Sequence, residues 1–233
     1  MTHINSDDKD SINLQALFSL FQQSSAELLA TIKQDSTLRS YPDKATIFIK
    51  DEPLKNIFLI IHGTIHVIKD DSEGKAQIIS ILRRGDFFPH IGLFENSLTP
   101  GNAYTTEETQ LLLIPIQLFR EIALQHPEIL MEYSKVLAKK IIELQSRLEE
   151  KAFCSTYEQV TRRLLFLAER YGKKSDSEFT ELTISLTHEE LAHLVGTSRE
   201  TVSRSITKLK KNNALQIMKG SWLLNIANLR KLD

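Results

Sequence analysis

Residues 187–211 read THEELAHLVGTSRETVSRSITKLKK, a stretch with the signals of two short helices joined by a tight turn. Thr187 and Glu190 form a capping box, in which the two side chains satisfy backbone amides at the start of the first helix. Gly196 ends that helix, because glycine adopts the positive φ of a sharp turn at little steric cost. Ser198 is a favourable N-cap for the second helix. The stretch therefore predicts a helix-turn-helix.

The predicted second helix has one apolar and one polar face. Apolar residues at helical spacing form its inner stripe: Val202, Ile206 and Leu209. Polar residues near its start lie opposite them: Arg199, Glu200, Ser203 and Arg204. A purely structural helix pair with a solvated charged face has a similar pattern. However, segment 198–211 holds five basic residues and one acid, and its outer side chains are able to hydrogen-bond to bases, which favours DNA binding.

The segment SRETVSR at residues 198–204 resembles the recognition helix of the Crp/Fnr family, the cyclic-AMP receptor protein and its relatives. The resemblance covers nearly the whole chain, although the sensor domain matches more loosely. It implies an α+β fold with three parts. These are a β-roll (jelly-roll) domain like those that bind cyclic nucleotides over residues 1–115, with N-terminal helices; a linker and dimerisation helix over 116–151; and a winged helix-turn-helix over 152–233.

The residue types of the second helix suggest how it reads DNA. Arg199 and Arg204 can each make a bidentate contact to guanine, and Glu200 can accept from cytosine N4. The predicted DNA-binding residues are Ser198, Arg199, Glu200, Thr201, Ser203, Arg204 and Lys208. Two-fold symmetry implies an inverted-repeat operator with half-sites about 34 Å apart, and the family resemblance implies TGTGA-like half-sites and RNA polymerase as a partner.

Composition narrows the class of protein. The chain has 233 residues, of which 41% are hydrophobic and 25% charged, as expected for a packed protein of one large or two modest domains. The lone Cys154 fits a reducing cytoplasm and rules out both internal disulfides and a cluster held by four cysteines of one chain. We expect a cytoplasmic protein without a membrane span or signal peptide, because no apolar run reaches about 18 residues.

Charge is distributed unevenly along the chain. The formal net charge is only −1, which alone does not suggest a nucleic-acid partner. Residues 187–233, however, contain eight Lys or Arg and four Asp or Glu, so the remainder of the chain is acidic. The C-terminal end is therefore the part suited to DNA phosphates.

Two further regions have distinct patterns. Residues 12–33 predict one or two short helices, and short β-rich runs separated by turn signals extend from Tyr41 to Pro115. A long helix follows, about Pro127 to Lys151. Its apolar residues repeat as a d–a–d–a seam with Ser134 at one a position: Leu130, Leu137, Ile141, Leu144 and Leu148. A helix packed on its own β-roll would use a similar stripe, but a seam this narrow and long favours a parallel homodimer.

The candidate effector loop departs from the family pattern. Family members that bind cyclic AMP carry a glutamate for the ribose and an arginine–serine pair for the phosphate. When the loop from Gly85 to Ala103 is aligned on its Gly92-Leu93-Phe94, the glutamate becomes His90 and the pair becomes Gly101-Asn102. A buried phosphate needs a charged partner. We therefore expect an effector other than cyclic AMP, if there is one, at a loop marked by Gly85, His90, Gly92, Gly101 and Asn102.

A rival hypothesis is a cupin-like small-molecule or metal-binding β-roll, whose C-terminal helices serve assembly. His62 and His66 flank Gly63, and spaced histidines are typical of that class. The fuller cupin pattern, two histidines one residue apart followed by a glutamate, is absent. We expect no metal, no cofactor and no catalytic residues, and a transcription regulator rather than an enzyme.

Overall fold

A computed structural model describes residue 9 and residues 11–70, 76–94, 98–174, 178–184, 186–218 and 220–232. Contacts divide the chain into two compact units, Met1–Ile142 and Glu143–Asp233, which we call the N-terminal and C-terminal units. The boundary falls inside the long helix. The three-part domain division expected from the sequence stays a prediction.

The N-terminal unit begins with short helices. Helix α1 is Leu14–Leu17, a 3-10 helix spans Ser19–Phe21, and α2 is Ala26–Asp35. Asn13 and Ser25 cap the two α-helices by accepting hydrogen bonds from backbone amides three residues on. The predicted helical region is confirmed, with a 3-10 turn between its two helices.

Eight strands follow and form two four-stranded antiparallel sheets, with strand orders β1-β8-β3-β6 and β2-β7-β4-β5. The strands are β1 Thr37–Tyr41, β2 Thr46–Phe48, β3 Asn56–His62, β4 Thr64–Asp70, β5 Ala76–Arg83, β6 Phe87–Phe88, β7 Asn102–Thr105 and β8 Thr109–Pro115. The β-region thus begins at Thr37, four residues before the predicted start. Strand β1 escaped prediction because Leu38 and Tyr41 are its only buried residues, so its pattern is mostly polar.

Strands β3 and β8 are central because both of their faces are buried. Ile57 and Leu59 pack with the helices, whereas Phe58 and Ile60 face the interior between the two sheets. In β8, Leu112 packs with the helices, whereas Leu111 and Leu113 face the interior between the two sheets. Successive side chains of a strand point to opposite faces, so burial on both sides requires a continuous apolar run rather than an alternating one. The confirmed β-roll therefore has one core between its sheets and a second beneath its helices.

Two helices follow the roll. Helix α3 is Ile116–Gln125 and α4 is Pro127–Phe153. In the N-terminal unit, Ile129 and Tyr133 of α4 are buried, and Leu130 and Leu137 are partly buried against the same core. Beyond this segment α4 exposes apolar side chains: Ile141 is 57%, Ile142 62%, Leu144 53% and Leu148 71% exposed. Those apolar side chains in the first half of α4 are thus packed against their own chain, whereas these four in the second half are each more than half exposed.

In its described residues, the C-terminal unit has four further helices and a small antiparallel sheet of order β11-β12-β10-β9. Its elements are α5 Thr156–Tyr171, β9 Gly172–Lys174, β10 Thr180–Leu182, α6 His188–Val195, α7 Arg199–Lys211, β11 Leu215–Met218, β12 Ser221–Leu224 and α8 Ile226–Lys231. The buried Trp222 of β12 donates its indole N–H to the Leu186 carbonyl at 2.6 Å, which ties the β11–β12 hairpin to the segment before α6. The predicted winged helix-turn-helix is confirmed.

Candidate nucleic-acid interface and effector loop

The turn between α6 and α7 is built by the residues that predicted it. The Thr187–Glu190 capping box is present at the start of α6, and Gly196 takes a left-handed conformation with φ +74°. The Gly196 and Thr197 amides both donate to the Ala192 carbonyl, at 2.8 and 3.0 Å. These bonds satisfy a carbonyl at the end of α6 and turn the chain sharply into α7.

Helix α7 separates its buried and exposed residues as the sequence predicts. Val202, Ile206 and Leu209 are buried, with at most 2% of their surface exposed. Arg199, Glu200 and Arg204 are exposed, and Thr201 and Ser203 are partly buried. The α7 face opposite the core therefore presents two guanidinium groups, a carboxylate and hydroxyls within the first two turns.

Hydrogen bonds fix the first turn of α7. The Ser198 hydroxyl accepts from the Thr201 amide at 3.2 Å and lies 3.0 Å from the Thr201 hydroxyl. Arg204 donates from Nη2 to that same hydroxyl at 3.1 Å. Hydrogen bonds from its own backbone amide and from Ser198 hold the pKa of the Glu200 carboxyl below its ordinary value. Glu200 is thus ionised at neutral pH and suited to accept a hydrogen bond.

Lys208 has a partner within the chain. Its ammonium lies 3.9 Å from the centroid of the Tyr157 ring in the first turn of α5. A cation placed over an aromatic face is attracted by the ring electrons. Lys208 therefore differs from Arg199 at the other end of the helix, because its charge already stabilises the packing of α7 on α5.

Sequence reasoning missed two residues of this unit. Lys151, near the end of α4, donates from Nζ to the carbonyls of Val195 at 2.6 Å and Gly196 at 3.4 Å. His188, the first residue of α6, has its ring against Trp222, and partial burial together with the nearby charges of Lys210 and Arg199 lowers its pKa. The Lys151 bonds join residues more than 40 positions apart, so the sequence does not predict them. The one available signal is that Lys151 follows Leu144 by seven positions and so places a lysine where the repeat calls for an apolar residue.

The effector loop of the N-terminal unit is held by distant residues. Gly85 and Gly92 have positive φ values of +88° and +81°, as expected for turn glycines. The His90 carbonyl accepts from the Tyr133 hydroxyl of α4 at 2.7 Å, and the Leu93 carbonyl accepts from the Arg120 guanidinium of α3. Residues 95–97 of the loop lie outside the described residues. Helices α3 and α4 therefore fasten the described part of the loop through its backbone.

The two positions that match the family's arginine–serine pair are packed closely. The Asn102 side-chain oxygen accepts from the Lys50 amide at 2.8 Å. A Cβ atom on Gly101 would lie 2.7 Å from the Ile68 carbonyl oxygen, which is a backbone atom. Neither residue carries a charge, so these positions offer a phosphate no charged partner of their own. The imidazole of His90 packs on Phe87, with 4.9 Å between ring centroids.

The two histidines that suggested a cupin differ in burial. His62 is exposed, and its Nδ1 lies 3.3 Å from the Glu108 carbonyl. His66 is only 6% exposed within β4. Among the described residues, no group of three or more His, Cys, Asp or Glu side chains is arranged to hold a metal ion.

Comparisons with known proteins identify both parts of the chain. A model of the cyclic nucleotide-binding domain matches residues 38–126, and a model of the Crp-like helix-turn-helix domain matches residues 158–233. None of the helices in the described ranges is long and apolar enough to cross a membrane.

Curated relatives extend these matches. The chain is 29% identical to the cAMP-activated global transcriptional regulator CRP of Salmonella typhimurium, over 76% of this chain and 84% of the relative. It is 25% identical to the CRP-like cAMP-activated global transcriptional regulator of Mycobacterium tuberculosis, over 88% and 92%.

Solved structures share the fold. The c-di-GMP responsive global regulator CLP of Xanthomonas campestris superposes with a TM-score of 0.73 at 22% identity, covering 86% of this chain and 99% of that chain. A CooA mutant from Carboxydothermus hydrogenoformans gives 0.74 at 23% identity, covering 93% and 94%. The two domain models and the curated relatives, taken with the order of β-roll and helix-turn-helix along the chain, show that the protein belongs to the Crp/Fnr family of DNA-binding transcription regulators.

Proposed function

We propose that this regulator binds an inverted-repeat operator as a homodimer in the cytoplasm and is controlled by a signal other than cyclic AMP. The observation that carries the proposal is the exposed face of α7. Arg199, Glu200 and Arg204 lie within two turns of the helix start, directly after the Gly196 turn. A recognition helix enters the major groove with these N-terminal positions nearest the base edges.

Each exposed side chain has a role that its chemistry supports. Arg199 and Arg204 read guanine through two parallel hydrogen bonds, and Glu200 accepts from cytosine N4. Ser203 and Thr201 contact phosphate or a base edge. Ser198 caps the helix, and its neighbouring amides face the phosphate backbone. Lys208 contributes positive charge to the interface while its ammonium rests on Tyr157.

The second half of α4 supports a homodimer. Ile141, Leu144 and Leu148 continue the seven-residue repeat, and each is more than half exposed. An apolar stripe repeating every 3.5 residues packs against an identical helix by inserting side chains into the holes of its partner. A parallel pair along this stripe gives the two-fold symmetry that an inverted repeat requires.

The effector loop supports control by something other than cyclic AMP. His90, Gly101 and Asn102 occupy the positions of the nucleotide's partners, and the last two lack a charge for its phosphate. A small ligand of different chemistry, or no ligand and regulation by protein abundance, fits these residues. RNA polymerase is the partner through which a regulator of this family acts on transcription, and no catalytic step is proposed.

Selection of bound genomic fragments, followed by titrations at several salt concentrations, tests the DNA-binding proposal. We expect the selected fragments to share an inverted repeat whose half-sites lie about one helical turn apart. Affinity for that repeat should exceed affinity for unrelated DNA by at least about a thousandfold. The proposal would be refuted if the selected fragments share no repeat and if, at any given salt concentration, they bind no more tightly than unrelated DNA.

A further inference from the structure

Lys151 joins two parts of the C-terminal unit that are far apart in sequence. It lies two residues before the end of α4, and its ammonium reaches the carbonyls of Val195 and Gly196 at the turn between α6 and α7. We propose that Lys151 is a positioning residue for DNA recognition, which fastens this turn to the last turns of the dimerisation helix. The inference rests on the proposed function, because it assigns a role within the same DNA-binding dimer.

The carbonyl end of α6 is a natural acceptor for a lysine. The last carbonyls of a helix have no amide partner inside the helix, and the helix dipole places partial negative charge there. The Ala192 carbonyl is satisfied by the Gly196 and Thr197 amides. The carbonyl of Val195, the last residue of α6, and that of Gly196, its C-cap, receive the Lys151 ammonium. A charged donor makes this bond shorter and stronger than a bond between neutral groups.

The register of α4 separates Lys151 from the apolar seam. Residue 151 follows Leu144 by seven positions, so an apolar side chain there would extend the seam by one more layer. A lysine at a seam position weakens such a pair, because two like charges would approach across the two-fold axis. By binding carbonyls of its own chain, Lys151 directs its charge to the helix-turn-helix, and the apolar seam ends at Leu148.

The Lys151 bond acts where orientation matters most. Arg199 begins α7 only three residues after Gly196, so the position of the turn sets where the N-terminus of α7 points. At the other end of α7, the Lys208 ammonium rests on Tyr157 at the start of α5. One lysine therefore fixes the turn to α4, and the other fixes α7 to α5, on either side of the break between those two helices at Cys154–Ser155.

Titration of an inverted repeat and of variants with one base pair added or removed between the half-sites tests this role. We expect Lys151→Gln to bind the best repeat about tenfold more weakly and to discriminate less between spacings. The slope of affinity against salt should not change, because no phosphate contact is lost. Lys151→Arg should restore most of the affinity. Lys139→Gln, an equal charge change at an exposed position of α4, serves as the control.

The opposite results would overturn the inference. If Lys151→Gln leaves both the operator affinity and the spacing preference unchanged, the bond from Lys151 to the turn is not needed for DNA recognition. Weaker binding with a salt slope smaller by about one unit would make Lys151 a phosphate contact instead.

Amide hydrogen exchange of the full-length protein without DNA gives a second, independent readout. We expect the amides of Gly196 and Thr197 to exchange faster in Lys151→Gln than in the wild type or Lys139→Gln. Unchanged exchange at these amides would refute the inference even if DNA binding is confirmed. Faster exchange in a protein that binds no inverted repeat would instead leave the fastening of the turn intact and refute the proposed function.

Discussion

The turn at residues 196–198 and the loop at residues 85–102 both depend on glycines with positive φ, yet they are held together in opposite ways. At the turn, the hydrogen-bond partners among the described residues lie within five positions along the chain, as in the bond from Thr197 to Ala192, with the exception of Lys151. At the loop, anchors come from Lys50 after β2 and from β3, α3 and α4, at separations of 25 to 52 residues.

This difference decides how far each region can be interpreted from the sequence alone. A locally encoded turn presents the same side chains wherever its short sequence is retained. A loop held by distant backbone contacts keeps its path after its binding residues have changed. The turn and the start of α7 can therefore be interpreted residue by residue from the sequence, whereas the path of the loop cannot.

The largest expected effect tests whether the DNA-reading region needs a second copy of the chain. Leu144→Glu combined with Leu148→Glu should give monomers, because each leaves an unpaired charge in an apolar seam at a cost of about 3–5 kcal/mol. Leu137 belongs to the same repeat but also packs against the core of its own unit, so changing it would destabilise the monomer as well as the dimer. Light scattering measures the change, and weaker operator binding should accompany it.

Lys139→Glu is the control for this experiment, because Lys139 is exposed on the side of α4 away from the repeat. It should leave the dimer intact. A full-strength dimer in the double variant would mean that the exposed stripe of α4 is not the interface.

The next effect tests whether α7 reads bases. Arg199→Ala should cost about 1–3 kcal/mol on the best operator and relax the preference at one base pair of each half-site. A planar guanidinium bonds to guanine O6 and N7 together, and alanine forms neither bond. Titrations on single-base variants of the operator measure the effect. Equal loss on every variant would assign Arg199 to the backbone instead.

Lys208→Ala is the matched comparison at the other end of α7. A phosphate contact there would lower the salt slope by about one unit and weaken all sequences alike. If the ammonium stays on Tyr157, the slope should hold and the free energy of unfolding should fall by about 0.5–1 kcal/mol.

A smaller effect tests whether the turn is encoded locally. Ser198→Ala should lower the free energy of unfolding by about 1 kcal/mol, because the Thr201 amide loses its acceptor. Ser198→Gly should cost only a few tenths of a kcal/mol. Denaturant unfolding measures both. Equal losses in the two variants would mean that the cap contributes little and that tertiary packing holds the turn.

The smallest expected effect is none at all. Millimolar cyclic AMP should leave both the melting temperature and the operator affinity unchanged, because Gly101 and Asn102 offer its phosphate no charge. A ligand at a hundred times its dissociation constant would stabilise the fold by about 2.7 kcal/mol, which is readily measured. Micromolar binding by calorimetry would refute the expectation and direct attention to Arg83 and Arg84, just before the loop.

How much the sequence predicts depends on how local each signal is. The Thr187–Glu190 capping box and the Gly196 turn are both present as the sequence indicates. Each is formed by residues three to five positions apart, so the hydrogen-bonding partners can be predicted from the sequence alone. The winged helix-turn-helix and its exposed arginines follow from such signals.

Features that depend on distant pairing were missed. Strand β6 has only Phe87 and Phe88, and it exists because β3 lies beside it. The bond from Lys151 to Val195 and the placement of Lys208 over Tyr157 join different helices. The α4 stripe predicts a dimer seam in preference to packing on its own β-roll, although Leu130 and Leu137 do pack against their own core. A periodic pattern marks an apolar face but does not say what covers it.

The close packing at Gly101 limits how this loop can change again. Any side chain there begins with a Cβ atom 2.7 Å from the Ile68 carbonyl oxygen, and a backbone atom in a paired strand has little room to move. Gly101→Arg would therefore displace the strand beside it before its guanidinium reached a ligand. Placing a charged side chain at residue 101 would therefore take coordinated substitutions rather than a single one, and an engineer who wanted a charge there would have to exchange the loop together with the strand beside it.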